Sequence, residues 1–137
     1  MRLLLCAQDI HSLEVGLVGA DGWKSGRRFT TRPEEVLARV EEFLDTEGTS
    51  WKEIDGVGVV TGPGSFTSTR IAVTLANGIA FARSIPVKGM ENPKRKELRD
   101  LYGTDPWAEP WKGDASFAVP VYDRPPHITP RRQPTFV

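Results

Sequence analysis

The stretch Val57-Gly58-Val59-Val60-Thr61-Gly62-Pro63-Gly64-Ser65-Phe66-Thr67-Ser68-Thr69-Arg70 decides how this chain is read. Its apolar opening, Val57 to Val60, predicts a buried strand. The Ala-rich segment Ile71 to Arg83 predicts a helix. Between them the glycines permit a sharp turn and a close approach of backbone to a ligand. A helix opening behind hydroxyl residues presents unpaired N–H groups and a partial positive charge. Gly62, Pro63, Gly64, Ser65, Phe66 and Thr67 are therefore the candidate nucleotide or phosphate loop. The competing reading is a tight strand-to-helix turn in which Ser65 or Thr67 caps the helix. The stretch lacks the Gly-Lys-Ser/Thr ending of a P-loop, and the third glycine and downstream acid of a dinucleotide fingerprint.

Upstream, Leu3–Gln8 predicts an apolar strand central in a sheet. Leu13–Val18 alternates as a second strand, and Gly19-Ala20-Asp21-Gly22 supplies a hairpin turn into a third, Trp23–Thr30. Lys24, Arg27 and Arg28 mark that third strand as a solvated edge. Thr31 with Glu34 reads as a capping box, and Pro33 suits the first turn of the helix that follows. Val36, Leu37, Val40, Phe43 and Leu44 form its apolar stripe up to about Thr46, and Gly48 stops it. Trp51 and Ile54 connect to the strand at Val57. Beyond the helix, Ser84-Ile85-Pro86-Val87 leads into a fifth strand. The order βββαβαβ predicts an α/β fold with a mixed five-stranded sheet.

Ala72, Ala76 and Ala80 recur every four residues and leave one helix face smooth. Such a helix either lies buried between the sheet and another element or offers a docking face to a partner. Composition changes at Glu91. Pro93–Leu101 predicts a charged helix of about two turns. A loop with Trp107 and Trp111 follows, then a strand-like stretch from Ala115 to Tyr122 and a Pro- and Arg-rich tail from Arg124. Residues 1–90 thus read as one α/β unit, and 91–137 as a C-terminal segment of different composition.

The 137 residues carry 18 Lys+Arg against 18 Asp+Glu, a formal net charge of zero. That balance argues against a protein built to grip nucleic acid through a basic face. Lys94, Arg95, Lys96, Arg131 and Arg132 read as solvated charge. Cys6 is the one cysteine, so no internal disulfide forms, and its apolar neighbours mark it as a small buried residue. His11 and His127 lack the spacing of a metal site. No run approaches the roughly 20 apolar residues of a membrane span, and Leu3–Ala7 is too short for a signal peptide. A soluble cytoplasmic protein is the expectation. Ser65, Thr67 and Ser68 have no base near them in the sequence. His11 with Asp9 is the only candidate pairing, so no catalytic residue is assigned.

The run Val60-Thr61-Gly62-Pro63-Gly64-Ser65-Phe66-Thr67 through Arg70-Ile71-Ala72-Val73, then Ala80-Phe81-Ala82 and Ile85-Pro86-Val87, resembles the signature of the TsaB (YeaZ) family. Val119-Pro120-Val121-Tyr122-Asp123-Arg124-Pro125 resembles that family's C-terminal Pro-x-Tyr-x-Arg segment. Members are non-catalytic subunits of the bacterial machinery that makes threonylcarbamoyladenosine in tRNA, with the actin-like (ribonuclease H-like) fold. The resemblance implies docking on a TsaD-like catalytic subunit through the two helices, and here Arg70, Ile71, Val73, Thr74, Ala76, Ala80 and Phe81 match. It also implies association with a TsaE-like ATPase, ATP or ADP only at the partner interface, and tRNA contact only indirectly. A homodimeric scaffold or a small nucleotide-binding protein of the same fold is the alternative. The chain departs from the family where Cys6-Ala7-Gln8-Asp9-Ile10 replaces an Ile-Asp-Thr type turn. Ser68 stands where a glycine usually follows Ser-Phe-Thr, Arg32-Pro33 replaces a usual His, and a short spacer stands in place of the second lobe.

Overall fold

The computed structural model describes residues 1–102 and Ala118. The expectations for Trp107, Trp111, His127, Arg131, Arg132 and the Val119–Pro125 segment lie outside the described residues. So does the rest of the strand-like stretch around Ala118.

Five strands form one mixed sheet in the order β3-β2-β1-β4-β5. They are β1 (Arg2–Cys6), β2 (Ser12–Gly19), β3 (Gly22–Thr30), β4 (Gly56–Gly62) and β5 (Val87–Glu91). β1 pairs antiparallel with β2 and parallel with β4, which pairs parallel with β5. Leu3, Leu4 and Leu5 are all buried, as a central strand covered on both faces requires. The β2–β3 hairpin turns through Ala20 and Asp21, with Gly22 at φ +108 supplying the backbone that Asp-Gly predicted. β3 is an edge strand with mostly exposed side chains, again as expected.

Side-chain alternation divides the core in two. On one face Leu3, Leu5, Leu13, Val15, Leu17, Val57 and Val59 pack under α1 (Val36–Thr46) and α2 (Phe66–Arg83). On the other, Leu4, Val18 and Val60 pack with Leu98 and Leu101 of α3 (Leu98–Tyr102). There Trp23 lies over Gly16 and Gly26, where an added Cβ would stand 2.6 Å from its ring. Glycine at both positions makes room for the indole.

Several local expectations are corrected. The Thr31 capping box does not form: Arg32 is the N-cap of a short 3-10 turn, Pro33–Glu35, which precedes α1. A Glu does cap backward elsewhere, where Glu53 accepts from the Ser50 N–H at 2.7 Å. Leu37 is 45% exposed and lies off the buried stripe. Gly48, at φ +65, ends α1 as read. The charged helix expected over Pro93–Leu101 shrinks to α3. Asn92 holds the residues before it in a turn, its Oδ1 accepting from the Lys96 N–H and its Nδ2 donating to Lys96 O. Arg95 sits at φ +49 within that turn.

Asn77 on α2 clamps the backbone of Ala118 with both ends of its amide. Nδ2 donates to Ala118 O at 3.0 Å, and Oδ1 accepts from its N–H at 2.9 Å. Ala118 comes to rest beside Gly89 of β5, where an added Cβ would stand 3.4 Å from its methyl.

Candidate functional site

The loop between β4 and α2 lies at the C-terminal ends of β1 and β4, parallel neighbours from which the chain departs in opposite directions. In open α/β sheets that crevice is where ligands collect. Here the crevice is filled by the chain itself. Ser65 N–H donates to Gln8 O at 2.6 Å, and Gln8 Nε2 donates to Pro63 O at 2.8 Å. Asn92 N–H donates to Gly62 O at 2.7 Å, so the residues after β5 close the loop from its other side.

Glycine is needed at two positions. Gly62 sits at φ +123, and the Gly62–Pro63 peptide is cis. A Cβ on Gly64 would lie 2.5 Å from Gln8 O and 2.8 Å from Gln8 Cα, which only backbone movement would relieve.

Helix α2 starts at Phe66, five residues before the expected start at Ile71, so Phe66 and Thr67 are helical. Ser65 is its N-cap: Oγ accepts from the Ser68 N–H at 3.3 Å and from the Ser68 hydroxyl at 2.8 Å. The amides of Ser65 and Ser68, which an anion would take, are thus engaged within the chain. Thr69 Oγ1 is buried against Gly64 and has no partner among the described residues.

His11 is exposed at φ +64 and forms no hydrogen bond to Ser65, Thr67 or Ser68 among the described residues. Asp9 turns outward and pairs with Arg95 at 3.2 Å. Among the described residues no group of three His, Cys, Asp or Glu side chains could hold a metal ion. Nor is any helix there long and apolar enough to cross a membrane.

Behind the loop, on the sheet face carrying α3, a pit of about 30 Å³ is lined by Cys6, Gln8, Glu14, Arg28 and Arg95 among others. That is room for a water molecule or two. Burial pushes the Cys6 thiol up to about 12, so it is no nucleophile near neutral pH. Burial also raises the Glu14 carboxyl, opposed by the Leu98 N–H, which donates to it at 3.1 Å, and by Arg28 at 3.6 Å.

The residues expected to meet a partner separate into two sets. Val73, Ala76 and Ala80 are buried under the helix against the chain's own sheet, and the smooth Ala72-Ala76-Ala80 face is that inward face. They are not available to a partner. Arg70, Thr74 and Phe81 point outward, Phe81 at 77% exposure, and Ile71 is half-buried. With Thr67 and Gly78 they form an exposed stripe at helical spacing. The Arg70 guanidinium stands 5.5 Å from the centre of the Phe66 ring. Gln8 and Asn92 organise the loop, although neither carries a loop-binding motif in the sequence. The Asn92-Pro93 pair, which favours a turn, was the available signal.

Residues 33–93 match the family described as TsaD, tRNA N6-adenosine threonylcarbamoyltransferase. The tRNA threonylcarbamoyladenosine biosynthesis protein TsaB of Escherichia coli (strain K12) is 37% identical over 97 residues, covering 66% of this chain and 40% of that protein. A tRNA N6-adenosine threonylcarbamoyltransferase of Geobacter sp. (strain M21) is 36% identical over 59 residues, covering 43% of this chain and 17% of its own length. The solved structure of YeaZ from Pseudomonas aeruginosa superposes with a TM-score of 0.60 at 26% identity, covering 66% of this chain and 43% of that one. The match therefore spans less than half the length of these relatives.

Proposed function

We propose that this chain, a member of the TsaB (YeaZ) family, serves the formation of threonylcarbamoyladenosine in tRNA as a non-catalytic subunit that docks on a TsaD-like partner. The observation that carries the reading is Phe81, a large apolar side chain 77% exposed on the outer stripe of α2. Leu37 of α1, 45% exposed, adds apolar surface on the helical layer. Between Arg70 and Phe81 on the stripe, Thr74 and Gly78 are small, and open space surrounds Gly78. A partner helix can approach there closely. Burying Phe81 in a complex is worth roughly 1.5–3 kcal/mol. Arg70 stands ready for a partner carboxylate.

The reading assigns the chain no intrinsic chemistry. The loop hydroxyls of Ser65 and Ser68 bond to each other rather than to a base, and the amides of these two residues are spent on Gln8 and on the helix cap. Any ATP or ADP belongs to the interface with the partner, as does a TsaE-like ATPase. The reading places the chain in the cytoplasm, with its tRNA contact made through the partner.

The test is co-purification of the chain with a TsaD-like protein, followed by tRNA modification with and without it. Phe81→Ser weakens the complex roughly tenfold or more while leaving the far-UV spectrum unchanged. Ala76→Glu disrupts the fold itself, since Ala76 is fully buried against the sheet. No complex at micromolar concentration sinks the proposal. A stable homodimer by light scattering, lost in Phe81→Ser, replaces it with a self-association role for the same stripe.

A further inference from the structure

On the far side of α1, a surface cavity of about 290 Å³ is lined by Glu41, Leu44, Asp45, Thr49, Ser50 and Trp51. Four observations give it a charge preference. Glu41 and Asp45 stand one helical turn apart, where like charges repel, and neither has an ion-pair partner among the described residues. Two neighbouring acids, Glu35 and Glu42, are instead paired with Arg39, at 3.7 and 2.8 Å. The last turn of α1 carries no basic residue, so the negative end of its dipole is uncompensated.

The fourth observation is Thr49. It is 5% exposed, and its Oγ1 is buried with no hydrogen-bond partner. Its backbone N–H is already engaged by Leu44 O at 2.9 Å. A buried hydroxyl left unpaired is costly, and Thr49 is among the residues that line the cavity. Trp51 contributes a partly exposed indole and Leu44 an apolar wall.

We infer that this cavity binds an organic cation: an ammonium or guanidinium group on an alkyl stem of side-chain length. The stem lies along Leu44 and the indole of Trp51, whose ring attracts the cationic head. The head is shared by the Glu41 and Asp45 carboxylates and donates to Thr49 Oγ1. A hard divalent ion is a poorer fit, because two carboxylates and one hydroxyl fall short of its usual oxygen shell and the remaining walls are apolar. The inference does not rest on the docking role of α2.

The probe is agmatine, a guanidinium on a four-carbon stem, titrated into the isotope-labelled full chain and followed by amide and indole N–H shifts. We expect saturable shifts at Thr49 and the Trp51 indole, with half-saturation in the range of about 1–10 mM. The double variant Glu41→Gln/Asp45→Asn weakens binding about five- to tenfold, as loss of two partly screened ion pairs requires. Both carboxylates are exposed, so the variant keeps its fold. Trp51→Leu weakens binding independently. The source of the cation is read from two further arms. Tighter binding of an arginine within a short neutral peptide points to a protein side chain, and tighter binding of putrescine points to a free polyamine. No saturation with any of these probes overturns the inference. So does an equal response to n-butanol or to magnesium, or indifference to the double variant.

Discussion

Gln8 and Asn92, 84 residues apart in the chain, exchange a reciprocal pair of hydrogen bonds: Gln8 Nε2 donates to Asn92 O at 2.7 Å, and Asn92 Nδ2 donates to Gln8 Oε1 at 2.8 Å. Both residues are buried, at 4% and 2% exposure. Through them the end of β1, the glycine loop and the residues after β5 become one unit. Gln8→Glu removes the donor that serves both Pro63 O and Asn92 O and buries a carboxylate against two carbonyl oxygens. It lowers stability at pH 7 by about 2–4 kcal/mol. Because the buried carboxyl holds its proton more tightly than the unfolded one, the loss shrinks as pH falls toward 4. Urea unfolding at the two pH values checks both statements.

Gly64→Ala drives a methyl into the backbone of Gln8. Overpacking of this kind costs about 1–3 kcal/mol. A melting temperature lower by several degrees, with amide shift changes concentrated at Gln8, Ser65 and Thr69, is the expected result. An unchanged melting temperature contradicts the described packing of loop on strand end.

Cys6 is chemically quiet in the folded chain. With its thiol pushed up to about 12 from an ordinary value of 9.0, it reacts with a thiol reagent at pH 8 orders of magnitude more slowly than in urea. The linkage has a definite sign. Between pH 9 and 12 the unfolded thiol ionises while the folded one does not, so stability falls as pH rises through that window. Cys6→Ala flattens the alkaline limb of the stability profile.

Glu14 acts in the same direction at the acid end. Its carboxyl is raised by burial above the ordinary 4.5, so the folded chain holds this proton where the unfolded chain has lost it. Stability therefore falls as pH rises from 4.5 through the folded value. Glu14→Gln keeps an oxygen for the Leu98 N–H, removes that slope and changes stability at pH 7 by less than about 1 kcal/mol. A slope unchanged in the variant assigns the effect to another group.

The elements that sequence reasoning placed well are those governed by local chemistry. Asp21-Gly22 marks a hairpin because its backbone conformation is a property of two residues. The charged side chains of β3 declare an edge. The start of α2 was misplaced because Phe66-Thr67-Ser68-Thr69 has weak helix propensity, which the Ser65 cap and the preceding turn override. Which face of α2 meets the sheet was undecidable from spacing, since small or apolar residues surround the helix. Burial resolved it by placing Ala72, Ala76 and Ala80 inward and Phe81 outward. Thr31 and Glu34 matched a capping box in letters alone. The loop was found, but its fillers were not, because Gln8 and Asn92 act through contacts between distant parts of the chain. The charge preference of the cavity beside α1 was equally invisible: it depends on which acids of one helix find a partner in space.

The clamp of Asn77 on Ala118 bears on how this chain ages. Asn77 is followed by Gly78, the pairing in which attack of the next backbone nitrogen on the side-chain amide is least hindered, expelling ammonia to give a succinimide that water opens to aspartate or isoaspartate. In the folded chain that nitrogen lies inside α2, and the amide is held at both ends by Ala118. Unfolding removes both protections at once. Once an aspartate forms, a carboxylate faces the Ala118 carbonyl where a donor stood, and that half of the clamp is lost. Chemical lifetime is thereby tied to folding: each excursion to the unfolded state exposes a bond whose breakdown makes the return less favourable.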